Sequence, residues 1–358
     1  MSGWRQVGPL VAAVATLALG PLGCQQGSGA AHGGASGDSA TAASRATPPR
    51  AGTGTPPLAD TTGVTPLEDT TGATRLARDD TGVVATPADW AILRRELEWG
   101  RSQRLDTLPV GEAVARMGLS FVGTPYRPGT LEVEGPERLV VNLRELDCVT
   151  FVETTLALTH LVRDSRVPVP SATDAPGMEA LEAAYRKELT RIRYRGGILN
   201  GYPSRLHYFS EWIRDAEKKG ILRDVTTELG GVEDREPVVF MSQHPDAYAR
   251  LSDPGVLAAI ERTETRISRV PRVYIPQDRI AAVARGVHDG DVIAATSSVP
   301  GLDVAHTGIA YRKDGSLHLI HAPLVGDSVH VSVRTLAQRV NDIEGQDGII
   351  VARPAEGL

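Results

Sequence analysis

The 358-residue chain contains only two cysteines, Cys24 and Cys148, and only 4% aromatic residues. Two cysteines exclude the dense disulfide framework of small secreted domains, so a chain of this length relies on a hydrophobic core. Its net charge of −6 lacks the basic excess of nucleic-acid binders, which excludes that class of partner. Cysteine and histidine ligands at the close spacings typical of zinc sites are absent as well.

The apolar run at the start of the chain is too short for a membrane-spanning helix. It extends from Val7 to Leu22, follows one positive charge at Arg5, and ends in small residues before Cys24. This order is typical of an export signal, so residues 1–24 are predicted to be a signal peptide.

The ending of this segment, Leu22-Gly23-Cys24, resembles a bacterial lipobox, although Pro21 stands where that motif prefers leucine. The resemblance implies that Cys24 is acylated, which makes the protein a membrane-anchored lipoprotein of the cell envelope, facing the periplasm. Ordinary cleavage or a retained anchor is the alternative. If Cys24 carries lipid, Cys148 has no intrachain disulfide partner in an oxidising compartment.

Residues 25–86 contain almost no large apolar side chains and are rich in Gly, Ala, Ser, Thr and Pro. Such a segment buries too little surface to offset its ordering entropy, so a disordered tether is predicted. A weak repeat, DTTG at Asp60 and Asp69 and DDTG at Asp79, is too polar to form a solenoid and indicates a drifted linker duplication.

Residues 87–358 are predicted to form one folded domain of the α+β class. Helical spacing begins behind an N-cap candidate at Asp89, and later helices are predicted in MEALEAAYRKEL and LHYFSEWIRDAEKKG, with a strand in PVVFM. After Gly286, four alternating segments predict strands: GDVIAAT, HTGIAYR, LHLIHAP and GIIVARP. Helices followed by an antiparallel sheet indicate α+β.

Cys148 stands in LRELDCVTFVETTLAL, directly after Asp147 and at the start of a long apolar-periodic run. Asp147 is the predicted N-cap and Cys148 lies in the first turn of the helix. The free amides and the positive end of the helix dipole favour an anion there, so a lowered thiol pKa and a nucleophile are expected. The alternative is a small buried core residue, since free cysteine is among the most buried residue types.

A base for this thiol could come from the histidines of the strand region, at positions 306, 318, 321 and 330. The geometry of the predicted hairpin distinguishes among them. Asp314-Gly315 is a two-residue type I′ turn signal, which places Tyr311 opposite His318 and Gly308 opposite His321.

Because side chains alternate between faces, His306 and His321 share one face as diagonal neighbours while His318 points to the other. His318 and His330 are predicted to be outward surface residues. A base at His306 oriented by His321 fits the logic of thiol hydrolases. A zinc site built from Cys148, His306 and His321 is the chemical alternative.

The segment SRLHYFSEWI leaves two interpretations open. Arg205 and His207 could line a substrate groove, or Leu206, Phe209 and Ile213 could form a core stripe with His207 as a solvated neighbour.

Five segments in order resemble the signature of NlpC-type, papain-like cell-wall cysteine hydrolases: GTPYRPGT, LDCVTFVE, GDVIAAT, HTGIAY and IHAP. SRLHYFSEWI and GLDVAHTGI resemble more narrowly the N-acetylmuramoyl-L-alanine amidase-like branch. Together these segments extend from about Leu119 to Pro323.

The resemblance implies a papain-like fold in which the Cys148 helix packs on the antiparallel sheet, with a large helical insertion at about residues 160–285. It implies Cys148 as nucleophile, His306 as general base, His321 as the third, orienting residue, and Tyr126 beside the oxyanion region, with no metal or cofactor. The family's Ser-Gly after the cysteine is replaced by Val149 and Thr150.

The implied activity is hydrolysis of an amide bond in peptidoglycan, the expected partner. The lactyl to L-alanine amide between glycan and stem peptide is favoured, with the γ-D-glutamyl to diamino-acid bond of the stem as the alternative. A reading of another class is a non-catalytic, envelope-anchored wall-binding module, against which the presence of Cys148, His306 and His321 argues.

Overall fold

The computed structural model describes residues 77–78 and 82–356. The predicted signal peptide, the lipidation site Cys24 and most of the predicted tether lie outside the described residues. Within the described part, no helix is long and apolar enough to cross a membrane.

The end of the predicted tether is wrong. Residues 83–86 are buried, and Val83–Ala85 form a strand paired with Leu139–Val140. The Gly/Ala/Thr/Pro-rich composition of the segment gave no reason to separate this short β-branched run from the tether. Its strand conformation depends on pairing with Leu139–Val140, which is distant in the sequence.

The helices are α1 (Pro87–Ser102), α2 (Val110–Ser120), α3 (Cys148–Arg163), α4 (Ala175–Arg193), α5 (Phe209–Lys218), α6 (Phe240–Gln243), α7 (Pro254–Ser268), α8 (Ile280–Val283) and α9 (Leu336–Asp342). Short 3₁₀ turns occupy Leu105–Thr107, Arg195–Gly197, Tyr202–Ser204, Pro245–Ala247, Ala249–Ser252 and Gln277–Arg279. The strands are β1 (Ala77–Arg78), β2 (Val83–Ala85), β3 (Leu139–Val140), β4 (Leu222–Asp224), β5 (Val232–Asp234), β6 (Arg272–Pro276), β7 (Val292–Ser297), β8 (Val304–Lys313), β9 (Ser316–His321), β10 (His330–Val331) and β11 (Gln346–Pro354).

The main sheet is antiparallel and has the order β10-β9-β8-β7-β11-β6-β5, with β4 paired to β11 outside this path. The four strands predicted after Gly286 are its centre, β9, β8, β7 and β11. A smaller sheet joins β1, β2 and β3. Helices and an antiparallel sheet in one unit confirm the α+β class.

Helix α3 is the centre of the helical layer. Its residues are buried from end to end except Val149 and Arg163, and it packs against α1, α2 and α4 and against β8 of the sheet. Neighbours on each side therefore cover both its apolar side chains and its buried polar ones, such as Thr150 and Glu153. The contact with β8 brings the start of α3 to the strand that carries His306.

Helix α1 begins one turn earlier than the N-cap candidate implies. Thr86 is the N-cap, with extended backbone and its side chain bonded to the amide of Asp89, and Pro87 follows as the first helical residue. Asp89 is the reciprocal partner in this capping box. Its other oxygen accepts from Leu143 N at 2.9 Å, so the carboxylate also holds the loop that leads to α3.

The predicted helical insertion at 160–285 is only partly helical. It contains α4, α5 and α7, but it also contributes β4, β5 and β6 to the sheet. The predicted strand PVVFM is wrong, because the amides of Val239 and Phe240 both donate to Gly301 O at 3.0 Å and a short helix follows. A short apolar run has no period that distinguishes a strand from a buried helical turn.

Candidate active site

The N-cap of α3 fixes the position of Cys148. Asp147 Oδ1 accepts hydrogen bonds from the amide and the hydroxyl of Thr150, both at 2.8 Å, and Asp147 N donates to Thr150 Oγ1 at 2.9 Å. The predicted N-cap is therefore confirmed, as a reciprocal capping box. Cys148 is buried, with 8% of its surface exposed, and forms no disulfide in the described part of the chain.

The β8–β9 hairpin has the predicted register. Asp314 and Gly315 have φ of 51° and 79°, as a type I′ turn requires, and Tyr311 pairs with His318. A Cβ atom at Gly308 would lie 3.0 Å from the Cβ of His321, which agrees with their predicted opposition and requires glycine there.

His306 and His321 meet in a hydrogen bond. His306 Nε2 and His321 Nδ1 lie 2.9 Å apart, and both residues are buried. The tautomer in which His306 donates through Nε2 leaves its Nδ1 unprotonated and able to accept a proton. The same tautomer places a hydrogen on His321 Nε2, which has no hydrogen-bond partner among the described residues.

The expected lowering of the Cys148 pKa is wrong. Burial raises the pKa of the thiol to about 12, and the Asp147 carboxylate adds to this shift. The backbone amide of Thr307 in β8 lowers the pKa, and so do the amides of Cys148 and Val149 at the helix terminus, but together by less. Desolvation of the thiolate outweighs the helix terminus, so the free protein holds a neutral thiol.

Both imidazoles are neutral as well. Burial, with the positive charge of Arg339 second, holds the pKa of His306 well below its usual range and lowers that of His321 to about 2. An uncharged base with an oriented ring is the state that accepts a proton at neutral pH.

Tyr126 lies beside the start of α3. Its segment pairs with Leu146, since Leu146 N donates to Pro125 O at 2.9 Å and Arg127 N donates to Leu146 O at 3.2 Å. Burial raises the pKa of the phenol, and the negative charges of Cys148 and Asp147 raise it further. The phenol therefore stays protonated, and it lies close enough to Cys148 to be affected by the charge of the thiolate when that forms.

A cavity of about 90 Å³ contains the thiol and is called here the nucleophile cavity. Its lining includes Cys148, His306 and Thr307, together with the polar side chains Asp147, Glu153, Arg193, Arg205, His207 and Asp303. Cys148 from α3 and His306 from β8 therefore line the same cavity.

Every carboxylate of the nucleophile cavity is already engaged. Asp147 is held by Thr150, Glu153 pairs with Arg193 at 2.7 Å, and Asp303 Oδ2 accepts from the amide of Ser210 at 2.8 Å. None of them is left as a free acid or base.

Arg205 is a buried structural cation rather than a free substrate ligand. It pairs with Glu132 and, at 3.6 Å, with Glu137, and its guanidinium stacks 4.8 Å from the centroid of the Tyr202 ring. His207 reaches the nucleophile cavity, where its Nε2 donates to Tyr202 O at 2.9 Å. Burial, then the charge of Arg205, keeps the His207 pKa well below its usual range, so a neutral ring lines the cavity.

The core stripe proposed for SRLHYFSEWI is confirmed. Leu206, Phe209 and Ile213 are all buried in the main hydrophobic core. The stripe lies in the core and His207 lines the nucleophile cavity rather than being solvated, while a role of this segment in substrate binding stays a prediction.

A second cavity, of about 470 Å³, is also lined by His306 and is called here the histidine cavity. Its polar lining comprises His306, His321, His330, Ser332, Arg334, Arg339, Asp342 and Gln346. The surface prediction for His330 is wrong, because β10 pairs it with His321 and the two ring centroids lie 4.9 Å apart.

Arg339 and Gln346 also line this cavity, although no sequence motif marks either residue as part of a site. They lie in α9 and at the start of β11, and only the path of the chain after β10 brings them to the β8–β9 hairpin.

His318 is on the face opposite His321, as predicted, but it is not a surface residue. It is only 9% exposed, and its Nδ1 donates to Ser332 O at 2.8 Å. The second face of the hairpin is covered by the apolar cluster that includes Leu317 and Leu319. An alternating strand pattern does not reveal that both faces of the sheet are buried.

The structure brings the proposed zinc ligands Cys148, His306 and His321 into one region. Within the described residues, however, no group of three or more His, Cys, Asp or Glu side chains is arranged to hold a metal ion.

Comparison with known proteins identifies relatives of this arrangement. Residues 116–349 match the family described as AmiA-like, N-acetylmuramoyl-L-alanine amidase-like. A comparison with curated proteins finds no match.

Among solved structures, an N-acetylmuramoyl-L-alanine amidase from Bacteroides uniformis is 36% identical, with a TM-score of 0.61 over 68% of this chain and 98% of that one. A Bacteroides fragilis protein described as a xylanase is 38% identical, with a TM-score of 0.59 over 66% of this chain and 99% of that one. A Legionella pneumophila protein, 17% identical with a TM-score of 0.52 over 74% of this chain and 94% of that one, shares the fold alone. The chain belongs to the N-acetylmuramoyl-L-alanine amidase-like family.

Proposed function

We propose that this protein is a cysteine-dependent N-acetylmuramoyl-L-alanine amidase with a papain-like, NlpC-type catalytic core. Cys148 is the nucleophile, His306 the general base and His321 the residue that orients it. The carrying observation is the 2.9 Å bond between His306 and His321 on β8 and β9, in a site where His306 shares a cavity with Cys148 at the start of α3. Membership of an amidase-like family and the amidase neighbour support the proposal.

The first step transfers the thiol proton to His306 as sulfur attacks the amide carbonyl. Because burial keeps the thiol neutral, a preformed thiolate is not available and proton transfer accompanies attack. His321 supports this step, since its acceptor at Nδ1 holds the His306 ring and stabilises the imidazolium that forms.

The tetrahedral oxyanion forms beside the first turn of α3. The amide of Cys148 is one of the helix's unpaired N–H groups, and donors at such positions stabilise a developing negative charge. The neutral phenol of Tyr126 helps to shape this region, because its hydroxyl remains protonated beside the thiol.

Collapse of the intermediate breaks the C–N bond. His306 returns its proton to the leaving amine, which releases the stem peptide and leaves a thioester on Cys148. Water, deprotonated by His306, then attacks the thioester, and the thiolate leaves and regains the proton. The products are the lactyl carboxylic acid of the glycan and a peptide with a free amine.

The γ-D-glutamyl to diamino-acid bond is the alternative target, because the same thiol chemistry cleaves either amide. A non-catalytic wall-binding module is the alternative of another class. Mass spectrometry of muropeptides digested by the purified protein separates the three: a free N-terminal L-alanine, a free diamino-acid amine, or no new product.

The nucleophile cavity does not offer the groups that the xylanase activity named for the Bacteroides fragilis neighbour would use. Glycoside hydrolysis uses a pair of carboxyl groups as acid and base or nucleophile. Here Asp147, Glu153 and Asp303 are each bound to a capping hydroxyl, an arginine or a backbone amide.

Replacement of the nucleophile is the direct test. Cys148→Ala and Cys148→Ser are expected to abolish wall hydrolysis while circular dichroism shows an unchanged fold. Iodoacetamide should inactivate the wild-type protein. Near wild-type turnover in Cys148→Ala would refute the cysteine mechanism, and activity lost in EDTA and restored by zinc would support the zinc alternative.

Attachment to the membrane through acylated Cys24 completes the proposal and locates the enzyme in the cell envelope. The supporting observation is the run from Val7 to Leu22 followed by Gly23-Cys24. Intact-mass analysis of membrane-extracted protein is expected to show a lipid increment on a chain that starts at Cys24. A protein that starts at Gly82, before β2, should keep full activity on soluble muropeptides, whereas an unmodified Cys24 in the mature chain would refute the anchor.

A further inference from the structure

We propose that the histidine cavity is a substrate subsite that binds a carboxylate of the stem peptide through Arg339 and Gln346. This inference rests on the proposed function and specifies its substrate: a muropeptide whose stem carries a free carboxylate near the scissile amide.

Arg339 is the charge in this cavity that lacks a partner. Its side chain forms no ion pair or hydrogen bond with the described residues, and its Nη1 atom is buried. Burial lowers its pKa to about 10, so the guanidinium is still charged at neutral pH.

The other charges of the cavity cancel. Arg334 pairs with Asp342, and the neighbouring imidazoles of His306 and His321 are held neutral. Arg339 is therefore the arginine of this lining that has no carboxylate partner among the described residues, and a partly buried cation without a partner is costly unless a ligand supplies the anion.

Gln346 is the second group without a partner. It is 5% exposed, it lines the same cavity, and neither its Nε2 nor its Oε1 makes a hydrogen bond within the part of the chain that the structure describes. Buried amides are almost always paired, so this side chain has both a donor and an acceptor available to a ligand in the cavity. Its Nε2 can donate to a carboxylate beside Arg339, and its Oε1 can accept from a peptide N–H.

His321 adds a third group. Its Nε2 is buried, lines the same cavity and has no partner among the described residues. When His306 donates to His321 Nδ1, this Nε2 carries a hydrogen and becomes another donor toward the cavity. Arginine, amide and imidazole donors around one space form an environment suited to a carboxylate.

The position of the cavity links it to the reaction. His306 lines both cavities, so a substrate whose scissile carbonyl lies at Cys148 can extend past His306 into the histidine cavity. Its volume of about 470 Å³ suits a short peptide segment, and the exposed Val325 and Val333 at its lining offer apolar contact to the rest of the chain.

The test compares two soluble N-acetylmuramoyl peptides that differ only in their stem carboxylates, which are free in one and converted to carboxamides in the other. Calorimetric binding to the Cys148→Ala protein avoids turnover. We expect the carboxamide peptide to bind about tenfold to a hundredfold more weakly, the range for a hydrogen bond to a charged group.

Substitutions then assign the preference. Arg339→Gln, combined with Cys148→Ala, should bind both peptides alike and weakly, and Arg339→Lys should recover part of the preference through its charge. Arg334→Gln is the matched control, because Arg334 lines the same cavity but is already paired with Asp342, and it should keep the preference.

Equal binding of the two peptides to Cys148→Ala would overturn the proposal, as would no binding of the free-carboxylate peptide or a preference that survives Arg339→Gln. The comparison of the two peptides requires no change at Arg339, so it stands even if Arg339→Gln does not fold. Hydrolysis of the same peptides by the protein with intact Cys148, followed by mass spectrometry, tests the amidase function separately. A carboxylate preference without hydrolysis would refute that function and leave the subsite in place.

Discussion

The two cavities that meet at His306 differ in how their charges are balanced. In the nucleophile cavity each charged side chain has a partner, as in the buried pair of Glu153 and Arg193 at 2.7 Å. In the histidine cavity Arg339 and Gln346 have no side-chain partner among the described residues. Protein groups pair the charges of the first cavity, whereas they leave Arg339 of the second without a carboxylate.

This difference separates two tasks of an enzyme site. A paired, buried network holds the reacting groups in one geometry and therefore favours catalysis by preorganised groups. Unpaired donors raise the energy of the empty site and are compensated only when a ligand binds, so they favour recognition.

The largest expected effect lies at the boundary between the cavities. His321→Ala removes the acceptor that orients His306 and should lower turnover by roughly ten- to ten-thousand-fold, the range of general-base contributions and of losing a third triad member. His306→Ala should be at least as damaging. Steady-state hydrolysis of soluble muropeptides measures both.

His318→Ala is the control from the opposite face of the hairpin. Turnover should change little, but unfolding free energy should fall by about 1 to 3 kcal/mol, because the change removes a buried hydrogen bond to Ser332 O. If His318→Ala were inactive and His321→Ala nearly normal, the assignment of the orienting residue to His321 would be wrong.

A pair of arginine substitutions tests the difference in charge balance directly. Arg205→Gln leaves Glu132 and the buried Glu137 without their cation and should lower the unfolding free energy by about 3 to 5 kcal/mol. Arg339→Gln removes an uncompensated charge, so stability should stay within about 1 kcal/mol or increase. Urea denaturation with an unchanged m-value measures both, and equal losses in the two variants would show that Arg339 has a structural partner.

The β8–β9 hairpin and the start of α3 could be predicted because local chemistry determines them. Asp314-Gly315 dictates a tight turn, and the turn dictates which histidines share a face. Asp147 before an apolar-periodic run indicates a capped helix. Such signals require only a few neighbouring residues.

The sequence predictions fail where residues distant in the sequence determine the burial or the pKa of a side chain. The thiol pKa follows burial by the surrounding elements rather than the helix terminus, and His318 is buried because a second cluster covers its face. No local sequence motif marks Arg339 as a site residue, because its position at the cavity depends on how the chain after β10 places α9. Sequence patterns describe one element at a time, and the histidine cavity is assembled from several.

The smallest expected effect is a shift in the pH dependence of activity. It tests whether the unpaired charge of the histidine cavity acts on His306. His306 must be neutral to accept the thiol proton, so kcat/KM falls as pH drops through its pKa in the free enzyme. Burial, and second the charge of Arg339, hold that pKa well below its usual range, so the acid limb should lie below about pH 6.5, the ordinary histidine value. Arg339→Gln removes one positive charge near His306, which raises the pKa of His306 and moves the acid limb to higher pH. Arg334→Gln should leave the limb in place, because the charge of Arg334 is already balanced by Asp342.

The pH at which the acid limb lies is independent of the maximum value of kcat/KM. It therefore reports the electrostatics at His306 separately from any loss of substrate affinity. A limb that stays in place in Arg339→Gln, or moves equally in Arg334→Gln, would show that the unpaired charge of the histidine cavity does not act on the base.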